Sequence, residues 1–375
     1  MKVGIVVPYS WSFWGGVVEH AEAQARALEA LGIETRMLVG MDPPGSFSRV
    51  LHPRQGRSGP PPPGVIPLGR SVIVPGNAAL SNLVLSPSTL PRLSRALDRE
   101  RFDVLHVHEP LAPMLGPAAL ALHDGPLVTT FHAAGASAWR PLALRLWGFL
   151  LERIDVRIAV SEQARETAEG YSPGRYELLP NGIDLPATAD PAGRLEHVLF
   201  VGRHERRKGL PVILRAWPEI RRSTGTRLRV VGADPLAVRL LLRRLRLPED
   251  GIDLLGIVDE ETLAREFATA KLLVAPSLGN ESFGMVVLRA LATATPVVAS
   301  DIPAYRAVAV PGTGVLVSPG DAQALAGAIV SVLADDPARE RSGAAAREAA
   351  GRYAWPKLAR ELAAYYEHAL AGRAD

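Results

Sequence analysis

The chain has 375 residues, of which 47% are hydrophobic and 22% are charged, and this ordinary globular composition excludes intrinsic disorder. Its length predicts two domains of similar size with a cleft between them. The net charge is +3 and basic residues are mixed with acidic ones, so we expect no nucleic-acid partner. Because cysteine is absent, disulfides, thiolate chemistry and Cys-ligated zinc are excluded as well.

The apolar segments are too short for a membrane anchor. No window reaches about 18 uninterrupted apolar residues, and the first apolar run is too short for a secretory signal. We therefore expect a cytoplasmic protein and leave open a peripheral contact with the inner face of the membrane. His106 and His108 would share one face of a strand, but the sequence shows no third ligand, so no metal site is expected.

The first half of the chain predicts alternating strands and helices. Residues 3–7 form an apolar run, the pair Gly15 and Gly16 follows, and apolar residues then recur at helical spacing. The alternation continues with strands at 34–39, 104–107, 127–131 and 156–160 and with helices at 91–101 and 141–153. Residues 42–69 are dense in proline and glycine, and we expect a flexible surface loop there.

A second series begins after a polar, proline-containing stretch that follows Leu178, and this stretch predicts the domain boundary. Its strands are predicted at 197–201, 227–231, 252–255, 271–275, 296–299 and 314–317, and late helices at 321–333, 337–352 and 356–371. Such alternation gives parallel sheets with helices on both faces. The predicted fold is α/β, with two doubly wound, Rossmann-like domains at 1–178 and 179–355.

The first candidate segment lies after the first strand, where parallel sheets bind ligands. Gly15 and Gly16 open the first helix and let backbone N–H groups approach a phosphate, although an ordinary tight turn explains the pair as well. The full dinucleotide pattern GxGxxG is missing, which argues against a nicotinamide cofactor.

Two further segments lie in the second half. Gly202 leads into Arg203 and Lys208, and Lys208 is one of four lysines in a chain that otherwise uses arginine. An Arg fork with a Lys point charge suits a diphosphate, which we favour over a solvated basic turn. Segment 275–284 places Glu281 before a helix, where capping of the helix N-terminus is its alternative role.

Together with His132 and the string FDVLHVHEP at 102–110, these segments resemble the retaining glycosyltransferases of family 4 over nearly the full chain, and among them the actinobacterial phosphatidyl-myo-inositol mannosyltransferases. The resemblance implies a GT-B fold, with two Rossmann-like domains facing across a deep cleft and a last helix, 356–375, crossing back to the first. It implies transfer of a hexose, with mannose favoured, from GDP-mannose or a UDP-sugar to a lipid-linked or small polyol acceptor. No metal and no cofactor beyond that donor are implied.

The resemblance also implies roles by motif position. The catalytic residues would be His132, which contacts the transferred sugar, Glu281, which binds its hydroxyls, and Arg203 and Lys208, which stabilise the leaving diphosphate. The other donor-binding positions are Gly15, Gly16, Gly202, Ser282, Phe283, Gly284 and Arg289, and the acceptor-binding positions are Tyr9 and Asn77.

One motif position departs from the family. Arg289 stands where the pattern has a second glutamate that accepts hydrogen bonds from the donor ribose, and a guanidinium has no acceptor. Weakened donor binding, a different nucleotide pose, lost transfer and a plain solvated role for Arg289 all stay open. The alternative function is a catalytically degenerate GT-B protein that binds a nucleotide or a partner without transfer, and a sugar-nucleotide epimerase is disfavoured by the family-4 motif.

The acceptor side departs as well. Asn82, Ala133 and Ser137 stand where the phosphatidylinositol enzymes carry polar or basic groups for the lipid phosphate, so this lipid itself is not the expected acceptor. The aromatic residues that follow the glycine pair and His132 are candidates for an apolar rim that contacts a lipid tail or a membrane surface: Trp11, Phe13, Trp14, Trp139, Trp147 and Phe149. For Trp147 and Phe149, core packing is favoured over the rim, because they recur with leucines at helical spacing.

Overall fold

The structure, a computed structural model, describes residues 1–46, 56–57, 60–76, 79–133, 135, 140–186 and 194–373. The chain forms two compact units, Met1–Gly182 with Trp355–Asp375 and Ile183–Ala354. The sequence predicts that the first domain ends at residue 178 and that the chain returns to it at residue 356. The first unit is therefore slightly longer than predicted at both of these boundaries.

The first unit contains the strands β1 (Lys2–Ser10), β2 (Glu34–Gly40), β3 (Val65–Gly69), β4 (Ser71–Gly76), β5 (Ala79–Val84), β6 (Val104–His108), β7 (Leu127–Phe131), β8 (Val156–Ala159) and β9 (Tyr176–Leu178). Its main sheet is parallel, in the order β3-β2-β1-β6-β7-β8-β9. Val3 and Ile5 of β1 pack into one hydrophobic cluster and Val6 into the cluster on the opposite face. Burial on both faces explains why β1 is a continuous apolar run.

The helices of the first unit before residue 183 are α1 (Gly16–Glu29), α2 (Thr89–Glu100), α3 (Leu115–Leu122), α4 (Arg140–Trp147) and α5 (Glu162–Glu169), with a 3-10 helix over Gly148–Arg153. The sequence predicts one helix over 141–153, and the structure divides it at Trp147. Ala143 is buried and Trp147 packs on the core, but Phe149 is 67% exposed. The core prediction is therefore wrong for Phe149, because spacing alone does not reveal which apolar stripe of a short helix faces inward.

The loop predicted over 42–69 is wrong at its end, because β3 pairs in parallel with β2 as an edge strand. The antiparallel hairpin of β4 and β5 and the short β9 also lie where the sequence predicts no strand. Pro67 lies in β3 and Pro75 lies in β4. A proline in a sequence argues against a strand, because a sheet tolerates it only where its missing N–H is not needed. Residues 47–55 and 58–59 of the predicted loop lie outside the described residues.

The second unit has its own parallel sheet, made of β10 (Leu195–Val201), β11 (Arg227–Val231), β12 (Ile252–Gly256), β13 (Ala270–Ala275), β14 (Val297–Ser300) and β15 (Gly314–Val317). The strand order is β12-β11-β10-β13-β14-β15. Its helices are α6 (Leu210–Thr224), α7 (Pro235–Leu245), α8 (Glu260–Thr269), α9 (Met285–Ala292), α10 (Pro303–Val308), α11 (Ala322–Ala334) and α12 (Asp336–Ala350).

Aspartate side chains begin several of these helices. The carboxylate of each accepts a backbone N–H from the first turn of α7, α8, α11 or α12, which satisfies a donor that the helix itself leaves unpaired. These capping residues are Asp234, Asp259, Asp321 and Asp335.

The last helix, α13 (Trp355–Ala371), belongs to the first unit. Trp355, Leu358, Leu362 and Tyr366 are buried in the cluster that also contains Val3 of β1. This agrees with a final helix that returns to the first domain. Within the described part of the chain, no helix is both long and apolar enough to cross a membrane.

Candidate active site

In both sheets the strand order reverses beside the first strand. β1 lies between β2 and β6, and β10 lies between β11 and β13. At such a switch point the loops on the two sides diverge and leave a crevice at the carboxyl ends of the strands, where doubly wound folds bind ligands. The glycine pair and Glu109 follow β1 and β6, and Lys208 and Glu281 follow β10 and β13.

The loop after β10 carries a lattice of ion pairs. Arg203 reaches one oxygen of Glu205 at 2.7 Å, and Arg207 reaches the other at 2.8 Å. Arg207 and Lys208 both reach Glu281, at 2.9 and 2.7 Å. Three cations share two carboxylates, so this edge of the sheet retains positive charge that favours an anionic ligand.

A glycine permits the two loops of the lattice to approach each other. Gly209 has φ of 70°, and a Cβ atom at this position would lie 1.7 Å from the carbonyl oxygen of Pro276. The backbone N–H of Leu278 also donates to the carbonyl of Arg207 at 2.7 Å. Any larger residue at Gly209 would separate the loops and so remove Lys208 from Glu281.

Glu281 is held through one of its two oxygens. Its Oε1 accepts from Arg207 Nη1 at 2.9 Å, from Lys208 Nζ at 2.7 Å and from Ser277 Oγ at 3.1 Å. Among the described residues no hydrogen bond or ion pair engages Oε2, so this second oxygen remains to accept a hydrogen bond from a ligand. The capping alternative does not apply, because α9 begins after Gly284, which occupies the N-cap.

The other predicted donor-binding positions of the second unit mostly shape the turn. Gly202 donates its backbone N–H to Val231 at 2.9 Å, and Ser282 is half-buried beside Glu281. The ring of Phe283 is 5% exposed and packs edge-on against Tyr353 at 5.7 Å. The Phe283 side chain therefore belongs to the core, and only its main chain is available to a ligand.

Arg289 lies on α9 and forms an ion pair with Glu260 at the start of α8, with 2.9 Å between Nη1 and Oε1. The Arg289 side chain is 24% exposed and that of Glu260 is 54% exposed. The position that carries a carboxylate in the family pattern thus carries a cation that is neutralised by a neighbouring helix. Arg289 is therefore a paired cation at the surface of the second unit.

In the first unit, Gly15 and Gly16 form the entry to α1. Gly15 is the N-cap in an extended conformation, and α1 begins at Gly16. A Cβ atom at either position would meet no described heavy atom within 4 Å. Internal packing therefore does not require these glycines, whereas a ligand that approaches the helix N-terminus would benefit from them.

His132 follows β7 and is fixed at its main chain and its ring. The half-buried Glu109 carboxylate accepts hydrogen bonds from the backbone N–H groups of His132 and Ala133, both at 2.7 Å. Glu109 itself has φ of 52°, a strained conformation that is common at functional sites. His132 Nε2 lies 2.8 Å from His108 Nδ1, so one of these nitrogens donates a hydrogen bond and the other accepts it.

Sequence reasoning missed the cluster around this pair. His20 of α1 lies edge-on to His108 and His132, with ring centroids 5.6 and 5.0 Å away. His106 stacks on His108 at 4.6 Å, and its Nε2 and Nδ1 bond Thr130 and Tyr366, both at 2.7 Å. Burial lowers the pKa of His20 to about 4 and that of His106 to about 3.

Burial also lowers the pKa values of His108 and His132 well below the usual range, with neighbouring histidines adding to the effect. Ligand atoms of His20, His108 and His132 lie within 4.8 Å of one another. A metal needs a lone pair from each ring, but the His108–His132 hydrogen bond already uses one nitrogen of each. Because the pair is neutral, only one of its two outer nitrogens keeps a lone pair, so this arrangement offers a metal at most two imidazoles.

Of the two predicted acceptor-binding residues, the structure describes Tyr9. Tyr9 at the end of β1 is half-buried, and burial together with the Glu109 carboxylate raises the pKa of its phenol. Asn77, Ser137 and Trp139 lie outside the described residues.

A cavity of about 690 Å³ opens at the carboxyl ends of β1, β2 and β3. Its lining includes Trp11, Met41, Arg57, Arg70 and Arg92, so it combines apolar surface with positive charge.

The predicted apolar rim is wrong for Trp11 and Phe13, which are only 6% and 2% exposed, whereas Trp14 and Phe149 are 41% and 67% exposed. The indole of Trp11 donates to Glu22 at 2.6 Å, and Arg57 stacks over Trp11 and Trp14 at 5.1 and 4.6 Å. A buried indole that has found a hydrogen-bond partner is a structural feature.

Two family models match the chain, Glycosyltransferase Family 4 over residues 14–186 and Glycosyl transferases group 1 over residues 196–335. The phosphatidyl-myo-inositol mannosyltransferase of Mycobacterium leprae is 37% identical over 98% of this chain and 96% of its own length. The enzyme of that name from Mycolicibacterium smegmatis is 35% identical over 98% of this chain and 94% of its own length. Among solved structures, the sucrose-phosphate synthase of Thermosynechococcus elongatus superposes with a TM-score of 0.75 at 24% identity, with 99% of both chains covered.

Proposed function

Because the chain belongs to glycosyltransferase family 4 and is a hexosyltransferase, we propose that it transfers mannose from GDP-mannose, with retention of the anomeric configuration, to a hydroxyl of a lipid-linked or small polyol acceptor. In this proposal the second unit binds the donor and the first binds the acceptor. The names of the two mycobacterial relatives support mannose as the sugar. A UDP-sugar is the competing donor.

The ion lattice around Glu281 is the observation that carries the proposal. Arg203 and Lys208 lie after the first strand of the second sheet, where a diphosphate would meet them, and Lys208 has three N–H donors of which Glu281 engages one. Positive charge that is already in place stabilises a leaving diphosphate as its charge develops. The free Oε2 of Glu281 suits a sugar hydroxyl beside that diphosphate. This arrangement provides charge stabilisation from the chain's own residues.

We also propose a peripheral contact with the membrane for the first unit. Leu142, Leu146 and Phe149 are 60%, 48% and 67% exposed on α4 and the turn after it. Arg145, which is exposed among them, adds a positive charge that suits an anionic bilayer surface. Phe149→Ser should reduce sedimentation with phosphatidylglycerol vesicles, and sedimentation equal to wild type would contradict the contact.

Calorimetric titration against GDP, UDP, ADP and their common sugar conjugates tests the donor assignment. The proposal predicts micromolar binding of GDP and GDP-mannose and much weaker binding of the other bases. Tight binding of UDP alone would show that the donor is a UDP-sugar and not GDP-mannose. Failure of every nucleotide to bind at millimolar concentration would overturn the proposal and favour a non-catalytic protein, with Arg289 as the altered position.

A further inference from the structure

Behind Glu281 two buried hydroxyl groups form a chain that its predicted role does not explain. Tyr305 on α10 has 0% exposure and Ser277 in the loop after β13 has 1%. The phenol oxygen of Tyr305 lies 2.7 Å from Ser277 Oγ, and Ser277 Oγ lies 3.1 Å from Glu281 Oε1. The chain runs from the core of the second unit to the anchored oxygen of the carboxylate.

The direction of both hydrogen bonds follows from the chemistry of the last group. An ionised carboxylate only accepts hydrogen bonds, so the Ser277 hydroxyl donates to Glu281. The Ser277 proton is then committed, and Ser277 accepts from the Tyr305 hydroxyl. Burial, with the Glu281 charge as a second cause, raises the pKa of Tyr305, so the phenol keeps the proton that it donates.

The neighbours of Tyr305 show why its hydroxyl has a defined position. The ring belongs to the buried cluster that also contains Phe283 and Val287. A Cβ atom at Gly284 would lie 3.0 Å from the Tyr305 ring, so the turn that carries Glu281 lies directly against it. The same residue thus supports the turn by packing and the carboxylate by hydrogen bonding.

From this geometry we propose that Tyr305 and Ser277 are positioning residues of the donor site, which hold Glu281 so that its Oε2 faces the sugar of the donor. The proposal rests on the proposed function, because it takes the ligand of Oε2 to be the donor's hexose. Arg207 and Lys208 bind the same Oε1, but they are also expected to serve the diphosphate. The two hydroxyls act on the carboxylate alone, and their effect should therefore be confined to the sugar.

Paired titrations separate this role from general damage to the site. GDP and GDP-mannose, with UDP and UDP-glucose in parallel, are titrated into wild type, Tyr305→Phe, Ser277→Ala and the double variant. Tyr305→Phe should weaken binding of the nucleotide-sugar about fivefold and leave binding of the nucleoside diphosphate within about twofold. Ser277→Ala should have at least the same effect, and the double variant should be no weaker than Ser277→Ala, because one chain is broken in each.

Tyr353→Phe is the matched control. Its hydroxyl is also buried in the second unit and donates to the carbonyl of Ala307 at 3.1 Å, without contact to Glu281. It should leave the ratio of the two affinities unchanged. Equal weakening of nucleotide and nucleotide-sugar by Tyr305→Phe, or additive effects of the two variants, would overturn the positioning role alone. Wild-type protein that binds neither nucleotide would overturn the proposed function and this inference together.

Discussion

The two units place different chemistry at the same topological position. In the first, the switch point is surrounded by His20, His106, His108 and His132, which burial keeps neutral. In the second, it is surrounded by Arg203, Arg207 and Lys208, paired with Glu205 and Glu281. Neutral rings with fixed hydrogen bonds suit hydroxyl groups, whereas an excess of cations suits phosphate. One architecture can therefore present two kinds of chemistry at the same topological position.

The largest expected effect is the loss of the ion lattice. Lys208→Ala and Glu281→Ala should each lower the transfer rate roughly a thousandfold, because each removes a charge that is already positioned for the reaction. Lys357→Ala, which removes an exposed lysine of α13, is the matched control. Rates are measured by release of nucleoside diphosphate, and unfolding curves verify that the variants fold. Turnover equal to wild type in either lattice variant would refute the site assignment.

Acid should destabilise the histidine cluster. The folded-state pKa values of His20 and His106, about 4 and about 3, lie below the value near 6.5 of an unfolded chain. The unfolded state then binds more protons than the folded state. The stability that the neutral histidines contribute is therefore complete above pH 6.5 and is lost as the pH falls toward their folded-state pKa values. For the two groups together, the free energy of unfolding should fall by roughly 2.5 kcal/mol between pH 6 and pH 5.

Urea unfolding at pH 7.5, 6 and 5 measures this loss. In His106→Gln the free energy of unfolding should depend less steeply on pH than in wild type. In His368→Gln, which changes an exposed histidine of α13, the pH dependence should equal that of wild type. If the free energy of unfolding is the same at pH 6 and pH 5, these histidines are not buried in the neutral form and the comparison between the units fails.

A smaller effect is expected at the ring pair of the first unit. His108→Phe removes the hydrogen bond to His132 and should lower the maximal transfer rate about tenfold, while the affinity for GDP, which the second unit is proposed to bind, stays unchanged. His108→Asn, which keeps a donor near the position of Nδ1, should recover part of the rate. A parallel loss of donor affinity would show that the two units do not divide the ligands as proposed.

The smallest effect is expected at Arg289. Arg289→Glu should tighten donor binding a few-fold if the position lacks only a carboxylate for the ribose. Because the new carboxylate would lie beside Glu260, the matched variant is Arg289→Glu with Glu260→Ala, which removes that repulsion. Calorimetry with GDP measures both. Weaker binding by the double variant would show that the Arg289–Glu260 pair has its own role.

Much of the fold could be predicted because apolar runs, glycine and helical spacing act locally. β7, β11 and β15 have the predicted bounds, and Lys208 and Glu281 do meet as a pair. The strands β3 and β4 were not predicted because Pro67 and Pro75 resemble turn signals.

The features that could not be predicted from the sequence are contacts between residues that are far apart in the chain but close in space. Ser277 and Tyr305 are 28 positions apart in the chain. They share a hydrogen bond because Ser277 follows β13 and Tyr305 lies on α10, which follows the neighbouring strand β14. His20 joins His108 and His132 for the same kind of reason, and helical spacing alone placed Phe149 on the wrong face. The sequence signal that was available for the histidines is the string HVHEP, whose second histidine and glutamate both hold His132.

Mass spectrometry of the acceptor tests the central claim most directly. Wild type and Lys208→Ala are incubated with GDP-mannose labelled with carbon-13 in the sugar. The acceptor offered is free inositol, a small polyol, or a bacterial lipid extract that contains lipid-linked acceptors, because phosphatidylinositol itself is not the expected acceptor. The account predicts an acceptor heavier by one labelled hexose with wild type and almost none with Lys208→Ala. Undiminished transfer by Lys208→Ala, or intact donor and acceptor after incubation with a wild-type protein that binds no nucleotide, would contradict it.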